Sequence, residues 1–149
     1  MTDVSFYHLL HLPLERALPK LMEKVRESGA RAVIRTGSTE RAEAICGMLW
    51  TYDPASFLPH GTARDGNAAD QPIWITPDDE NPNEATILVL TDGMTSSHIA
   101  SYDRCLDMFD GRDESAVAAA RERWTTYKND GHSLAYWQQT QAGGWEKKA

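Results

Sequence analysis

The sequence is poor in the features that mark disulfide-stapled, metal-bound or membrane-spanning proteins. Its 149 residues include two cysteines, Cys46 and Cys105, which form no C-x-x-C pair and are too few for a disulfide framework. We expect both thiols to be free and buried. No apolar run approaches the ~20 residues that a membrane-spanning helix needs, and no basic, apolar signal segment opens the chain. These absences favour a reducing, cytoplasmic location.

Positive charge is also scarce. The chain carries 15 Lys and Arg against 22 Asp and Glu, which gives a formal net charge of −7. An acidic surface repels phosphates, so the composition argues against direct, tight binding of nucleic acid. The charge is uneven, because residues 121–149 hold 5 basic and 3 acidic groups, net +2, whereas residues 1–120 hold 10 and 19, net −9.

Motifs for catalysis, phosphate binding and metal binding are missing. Thr36-Gly37-Ser38-Thr39 follows a predicted strand, but it lacks the second glycine and the lysine of a P-loop, and no G-x-G-x-x-G occurs. We therefore expect Ser38 or Thr39 to cap a helix. His8 and His11 would lie on opposite faces of a strand, which is a poor arrangement for chelating one metal ion. The sequence predicts a protein without catalytic residues, metal or cofactor.

What the chain does contain is an alternation of strand and helix patterns. The predicted strands cover residues 4–10, 30–36, 72–76, 85–90 and 106–110, the last of them at a sheet edge. The predicted helices cover residues 14–28, 38–50 and 113–129, and a short helix falls within 98–105. The strand at 85–90 is continuously apolar, as in a parallel sheet covered on both faces. The pattern predicts one α/β domain over residues 1–149, a three-layer sandwich with a largely parallel sheet, Rossmann-like without a nucleotide-binding motif. Residues 132–149 remain unassigned.

The segment 49–60 concentrates large apolar residues between prolines. Trp50, Tyr52, Phe57 and Leu58 fall within nine residues. Proline-bounded loops lie at the surface, where such a group would form a protein interface. Alternatively, the rings fold back and close the core.

The predicted helix at 113–129 has a mixed face. Val117, Ala120, Trp124 and Tyr127 share one side at helical spacing, with Arg121 beside them. Apolar groups next to an arginine can hold an apolar side chain and a carboxylate together, because the guanidinium binds a carboxylate through two hydrogen bonds. The alternative is a helix that packs on the core and exposes a basic face.

Three patterns together resemble a known family. They are Phe6-Tyr7-x-Leu9, the L-W-x-x-x-P-x-S-F-x-P-H pattern at 49–60 with Q-P-I at 71–73, and the A-R-E-R-W-x-x-Y-K-x-x-G-H pattern at 120–132. In this order and spacing they resemble the chi subunit of bacterial DNA polymerase III holoenzyme. The resemblance implies a Rossmann-like fold without nucleotide-binding activity. It also implies a non-catalytic subunit of the clamp loader that binds the psi subunit and the acidic C-terminal tail of single-stranded DNA-binding protein (SSB).

The resemblance also implies where these partners bind. The SSB tail, which ends in an apolar residue with a free carboxylate, is expected at Val117, Arg121, Trp124, Tyr127 and Lys128. The psi subunit is expected at Trp50, Phe57, Leu58 and Pro59. Arg123 and Lys128 would attract the tail by their charge. Val117 stands where a lysine can occur in the family, so one ionic contact is expected to be missing.

Two other functions remain open from the sequence. The first is a nucleotide- or small-molecule-processing α/β enzyme that uses the turns at Thr36-Gly37 and Asp92-Gly93, at the carboxyl ends of strands. The second is an adaptor that binds another DNA repair or helicase protein through the segment 50–59.

Overall fold

The computed structural model describes residues 2–53 and 58–149 as seven strands, three α-helices and two short 3-10 turns. The strands are β1 (Asp3–Leu9), β2 (Ala32–Arg35), β3 (Ile73–Thr76), β4 (Ile87–Leu90), β5 (Arg104–Asp110), β6 (Ser133–Gln139) and β7 (Trp145–Lys147). The helices are α1 (Leu14–Glu27), α2 (Thr39–Thr51) and α3 (Glu114–Asn129). No helix in this part of the chain has the length and apolar character needed to cross a membrane.

All strands join one sheet in the order β3-β2-β4-β5-β1-β6-β7. Neighbouring strands run parallel except β6 and β7, which pair antiparallel. The predicted α/β sandwich with a largely parallel sheet is therefore confirmed. The prediction of an edge strand at 106–110 is wrong, because β5 pairs with β4 on one side and with β1 on the other. The apolar residues of β5 are buried on both faces, which the short pattern 106–110 did not reveal.

One face of the sheet is covered by α1 and α2. The apolar residues of α1 recur at intervals of three and four and are buried, for example Leu18 and Met22 at 0% exposure. They pack with Ile45 of α2 and Ile34 of β2 in one cluster. Ser38 caps α2 by accepting a hydrogen bond from the Arg41 backbone N–H at 3.1 Å, as predicted.

The opposite face is covered by α3 and by the segment before β5. Asp113 caps α3 by accepting backbone hydrogen bonds from Ser115 and Ala116. The helix packs against Phe6 of β1 and Phe109 of β5 in a second cluster. Because the sheet has helices on both faces, the central strand β4 is apolar throughout.

The segment 132–149, unassigned from the sequence, forms a hairpin that extends the sheet. β6 pairs with β1, and β7 pairs with β6 in the register Trp137–Lys147 and Gln139–Trp145. Trp145 packs edge-on against Tyr7, with ring centroids 4.9 Å apart. Consequently β6 brings Tyr136 onto the same face of the sheet as Phe6, beneath α3.

Candidate functional site

A cavity of about 460 Å³ opens between α3 and the adjoining strands β5, β1 and β6. This volume falls within the range of small-ligand pockets and accommodates one large apolar side chain. We call it the α3 cavity. It is lined by Phe6, Phe109, Val117, Ala120, Arg121, Trp124, Thr125, Tyr136 and Ala149.

Aromatic rings form the floor and one wall of the α3 cavity. Trp124 lies edge-on to Phe6, with centroids 5.4 Å apart, and edge-on to Tyr136, with centroids 6.1 Å apart. Phe109 stands 6.4 Å from Phe6 and 6.5 Å from Tyr136. These separations are typical of packed aromatic pairs, which hold one another in fixed orientations. The apolar surface is therefore preformed.

Arg121 supplies the positive charge of the α3 cavity. Its side chain is exposed, and it takes part in none of the ion pairs formed within residues 2–53 and 58–149. The guanidinium acts on two nearby rings. Burial raises the pKa of Tyr136, and the charge of Arg121 opposes that rise. Burial lowers the pKa of His8, and the charge of Arg121 lowers it further. The cavity thus combines an apolar floor with a cation at its rim.

The structure brings three of the five residues expected for tail binding to one cavity. Val117, Arg121 and Trp124 line it, whereas Lys128 is exposed further along α3 and Tyr127 is 5% exposed. The Tyr127 ring packs under the helix at 5.9 Å from Phe6 and borders a different cavity beside the loop 93–100. Its position is a consequence of helical geometry, because a residue ten positions after Val117 has rotated toward the sheet.

The sequence did not predict the strand residues that complete the cavity. Phe109 and Tyr136 belong to β5 and β6, which the pattern placed at an edge or left unassigned. Tyr136 also contacts the His8 ring through its hydroxyl group and the Nδ1 atom of His8. The sequence signal that could have placed Tyr136 in a strand is the alternation of Leu134, Tyr136 and Gln138 toward one face. This alternation covers few residues, and the large apolar Trp137 on the other face obscures it.

Arg123 is not available to attract a peptide, contrary to the expectation from the sequence. It is 8% exposed and donates two hydrogen bonds to Asp107 of β5, from Nε to Oδ2 at 2.7 Å and from Nη2 to Oδ1 at 2.9 Å. Asp107 is 1% exposed. Burial raises the pKa of the Asp107 carboxyl, and the hydrogen bonds from Arg123 oppose that rise. This bidentate pair joins α3 to the sheet.

Trp50 belongs to the surface expected to bind the psi subunit. At 49% exposure it is the most exposed large apolar side chain among the described residues. Its ring lies 4.2 Å from the ring of His60. Pro59 is half-buried, but Leu58 is 3% exposed and packs in the core on the α1 and α2 side. Phe57 lies outside the described residues. The sequence left two interpretations of this segment open, a surface interface or closure of the core. Trp50 agrees with the first, and Leu58 agrees with the second.

The enzyme alternative would use the turns at Thr36-Gly37 and Asp92-Gly93, and the Asp92 carboxylate already binds there. Oδ2 of Asp92 accepts a hydrogen bond from the backbone N–H of Gly37 at 2.9 Å, and Asp92 also pairs with Arg41. A phosphate at the start of α2 would need this N–H group and would be repelled by the carboxylate. The geometry therefore disfavours a phosphate-binding loop here.

The cysteines offer no reactive thiol. Both are free and buried, as predicted. Burial raises the pKa of Cys46 to about 11, with Asp65 adding to the rise, and burial also raises the pKa of Cys105. At neutral pH both remain protonated thiols, which are poor nucleophiles and poor metal ligands. Among the described residues, no cluster of three or more His, Cys, Asp or Glu residues is arranged to hold a metal ion.

Comparison with known proteins gives a consistent family and a broader fold relationship. The family described as "DNA polymerase III chi subunit, HolC" matches residues 1–135. A protein of Rickettsia prowazekii (strain Madrid E), named "Probable DNA polymerase III subunit chi", is 38% identical over 90 residues, 60% of this chain and 54% of that protein. The match thus spans about half of that relative's length. The C-terminal domain of S. cerevisiae Dbp5, solved with a Gle1 variant and IP6, superposes with a TM-score of 0.59 at 9% identity, covering 91% of this chain and 90% of the other. At that identity the likeness concerns the fold alone.

Proposed function

Because the chain belongs to the DNA polymerase III chi subunit family, we propose that it is a non-catalytic accessory subunit of the clamp-loader complex. In this proposal it links the complex to SSB-coated template by binding the acidic C-terminal tail of SSB. The family itself supports an accessory role in DNA replication. The binding site that we propose for the tail is the α3 cavity.

The observation that carries this proposal is the combination of an aromatic floor with the Arg121 guanidinium at its rim. The last side chain of the tail would lie on Phe6, Phe109 and Trp124, and the terminal carboxylate would accept hydrogen bonds from Arg121. No intramolecular carboxylate from the described residues forms an ion pair with that guanidinium. The arrangement suits a peptide that ends in an apolar residue, because Arg121 and the aromatic rings line the same cavity.

The expected affinity is moderate. Burial of one large apolar side chain contributes roughly 1.5–3 kcal/mol. Hydrogen bonds from a charged donor add about 1.5–3 kcal/mol. Ordering of a flexible tail removes several kcal/mol. A dissociation constant near the micromolar range follows, which suits a contact that must be released as a polymerase advances.

The first prediction concerns Arg121. Arg121→Ala should weaken the binding of a fluorescein-labelled SSB tail peptide about tenfold to hundredfold, because the charge-assisted hydrogen bonds are worth about 1.5–3 kcal/mol. Arg121→Lys should recover part of the loss, since an ammonium retains the charge but not the paired hydrogen bonds. Fluorescence anisotropy titrations of the three proteins measure the effect.

Two controls separate the site from general charge effects. Arg64→Ala removes a cation that is 83% exposed and pairs with Glu43 of α2, and it should leave peptide affinity unchanged. A peptide with an amidated C-terminus lacks the terminal carboxylate and should bind wild type weakly. Its affinity should fall little further when Arg121 is replaced by alanine. Equal affinity of wild type and Arg121→Ala for the free-acid peptide would refute the site.

We further propose that the surface around Trp50 binds the psi subunit, or another repair or helicase protein where psi is absent. The supporting observation is the half-exposed indole at the end of α2, remote in sequence from α3. Large exposed aromatic side chains are enriched among the residues that contribute most to protein interfaces.

The second prediction is that Trp50→Ala weakens binding of the partner protein and leaves binding of the SSB tail unchanged. Tagged wild type and Trp50→Ala are used to recover partners from the native host, and the same proteins are titrated with tail peptide. We expect the co-purified psi or helicase protein to be lost and peptide affinity to be retained. Full recovery of that partner by Trp50→Ala would exclude Trp50 from the interface.

A further inference from the structure

The hairpin of β6 and β7 borders the α3 cavity. The backbone N–H of Lys148 donates to the carbonyl of Tyr136 at 2.8 Å, and the N–H of Tyr136 donates to the carbonyl of Ala149 at 3.3 Å. These bonds lie beyond the end of β7 and the Trp137–Lys147 pair, where Tyr136 bonds to both Lys148 and Ala149. Tyr136 and Ala149 both line the cavity. The hairpin thus forms the wall that faces α3.

The pairing register of β6 and β7 determines whether Lys147 or Lys148 lies on the side of the sheet that holds the α3 cavity. Directly opposed residues of an antiparallel pair project to the same face of the sheet, and neighbours along a strand project to opposite faces. Glu146 stands opposite Gln138 and thus shares the face of Tyr136, and the ion pair between Glu146 and Lys148 places the Lys148 side chain on that face, beneath α3. Lys147 shares the face of Trp137, on which Trp145 packs against Tyr7. Two adjacent lysines are separated by the sheet.

The ion pair of Lys148 is exposed and can be exchanged for one with another carboxylate. Its side chain is 44% exposed, and its Nζ atom lies 3.3 Å from Oε1 of Glu146, whose side chain is 61% exposed. An exposed pair of this kind contributes little, so a carboxylate that arrives with a peptide can replace Glu146. The α3 cavity itself is lined by one cation, Arg121, among the described residues.

We propose that Lys148 is the second cation of the tail-binding site and holds an acidic residue upstream of the tail's last side chain. The inference rests on the proposed function. Arg121 lines the cavity from α3, and Lys148 immediately precedes Ala149, which lines the cavity from the hairpin side. An acidic peptide that leaves the aromatic floor along the hairpin would therefore meet a second positive charge. The family match ends at residue 135, and the second charge therefore comes from outside the matched region.

The third prediction compares the two lysines. Lys148→Ala should weaken binding of the free-acid SSB tail peptide about twofold to fivefold, the range of exposed ion pairs. It should also make the affinity less sensitive to salt, because one screened contact is lost. Lys147→Ala is the matched control, since it removes the same charge from the next residue on the opposite face. Glu146→Gln should tighten binding slightly by removing the competing carboxylate. Anisotropy titrations at several NaCl concentrations measure all four proteins.

The outcomes separate this inference from the proposed function. If wild type does not bind the peptide, both proposals are wrong. If wild type binds and Arg121→Ala does not, but Lys148→Ala and Lys147→Ala bind equally with equal salt dependence, the tail site stands and the role of Lys148 is refuted. A peptide in which the upstream acidic residues are replaced by their amides should bind wild type and Lys148→Ala equally.

Discussion

At the scale of single residues, two arginines on α3 have opposite environments. Arg121 and Arg123 are two positions apart, which turns them by about 200° around the helix axis. Arg123 consequently faces the sheet and pairs with Asp107, while Arg121 is exposed at the rim of the α3 cavity. A count of positive charges in the segment does not distinguish them. The face that each residue occupies decides whether its guanidinium forms a buried ion pair or remains an exposed cation.

The fourth prediction follows from the buried pair. Arg123→Ala should destabilise the protein by about 3–5 kcal/mol, because it leaves the Asp107 carboxylate buried without its cation. Arg121→Ala should change stability by less than about 0.5 kcal/mol, since the side chain is exposed and forms no ion pair with the described residues. Urea unfolding monitored by tryptophan fluorescence measures both differences.

A double variant tests the cause of the loss. Replacement of both partners by apolar residues, Asp107→Leu with Arg123→Met, should recover most of the stability, since no charge then remains buried. If Arg123→Ala costs no more than Arg121→Ala, the pair has no role in joining α3 to the sheet.

At the scale of elements, the sequence was sufficient where the signal is local. The spacing of Leu18, Leu21, Met22 and Val25 predicted α1 within one residue of its observed end, and a single serine predicted the start of α2. These signals depend on three or four neighbouring residues. The strand at 85–90 was recognised for the same reason, since its apolar run is continuous.

The elements that the sequence misplaced depend on distant partners. β5 is central because β4 and β1 flank it, and nothing within 106–110 records those neighbours. β6 and β7 owe their position to pairing with β1 and to Gln139, whose side-chain oxygen accepts backbone hydrogen bonds from residues 10–12. The contacts of β5, β6 and Gln139 with β1 and the residues after it span more than a hundred residues and leave no periodic pattern.

The same division holds for the candidate site. The helical wall of the α3 cavity, with Val117, Arg121 and Trp124, could be predicted from spacing and from the family resemblance. The strand wall, with Phe109 and Tyr136, could not be predicted, because it depends on the order of β5, β1 and β6 in the sheet. Lys148 could not be distinguished from Lys147 without the register of the hairpin.

At the scale of the whole molecule, the positive charge after residue 120 is divided among separate tasks. Arg123 is neutralised by Asp107 inside the fold, and Lys148 pairs with Glu146. Arg121 borders a cavity with an apolar floor, and Lys147 lies on the far face of the sheet. Phosphate binding along a strand needs several cations on one surface. This distribution suits the proposed binding of a short acidic peptide better than the binding of a nucleic-acid backbone.

The fifth prediction is that this protein reaches single-stranded DNA only through SSB. Residues 1–120 carry a net charge of −9, so the body of the protein is repelled by the phosphate backbone. A labelled oligonucleotide alone should show no change in anisotropy at protein concentrations that saturate the tail peptide. The same oligonucleotide coated with SSB should show an increase, which Arg121→Ala or an excess of free tail peptide removes. SSB that lacks its C-terminal tail should behave as the bare oligonucleotide does. Binding to bare DNA with a strong salt dependence would instead show that the local excess of positive charge acts on phosphates, and the division of charge argued above would be wrong.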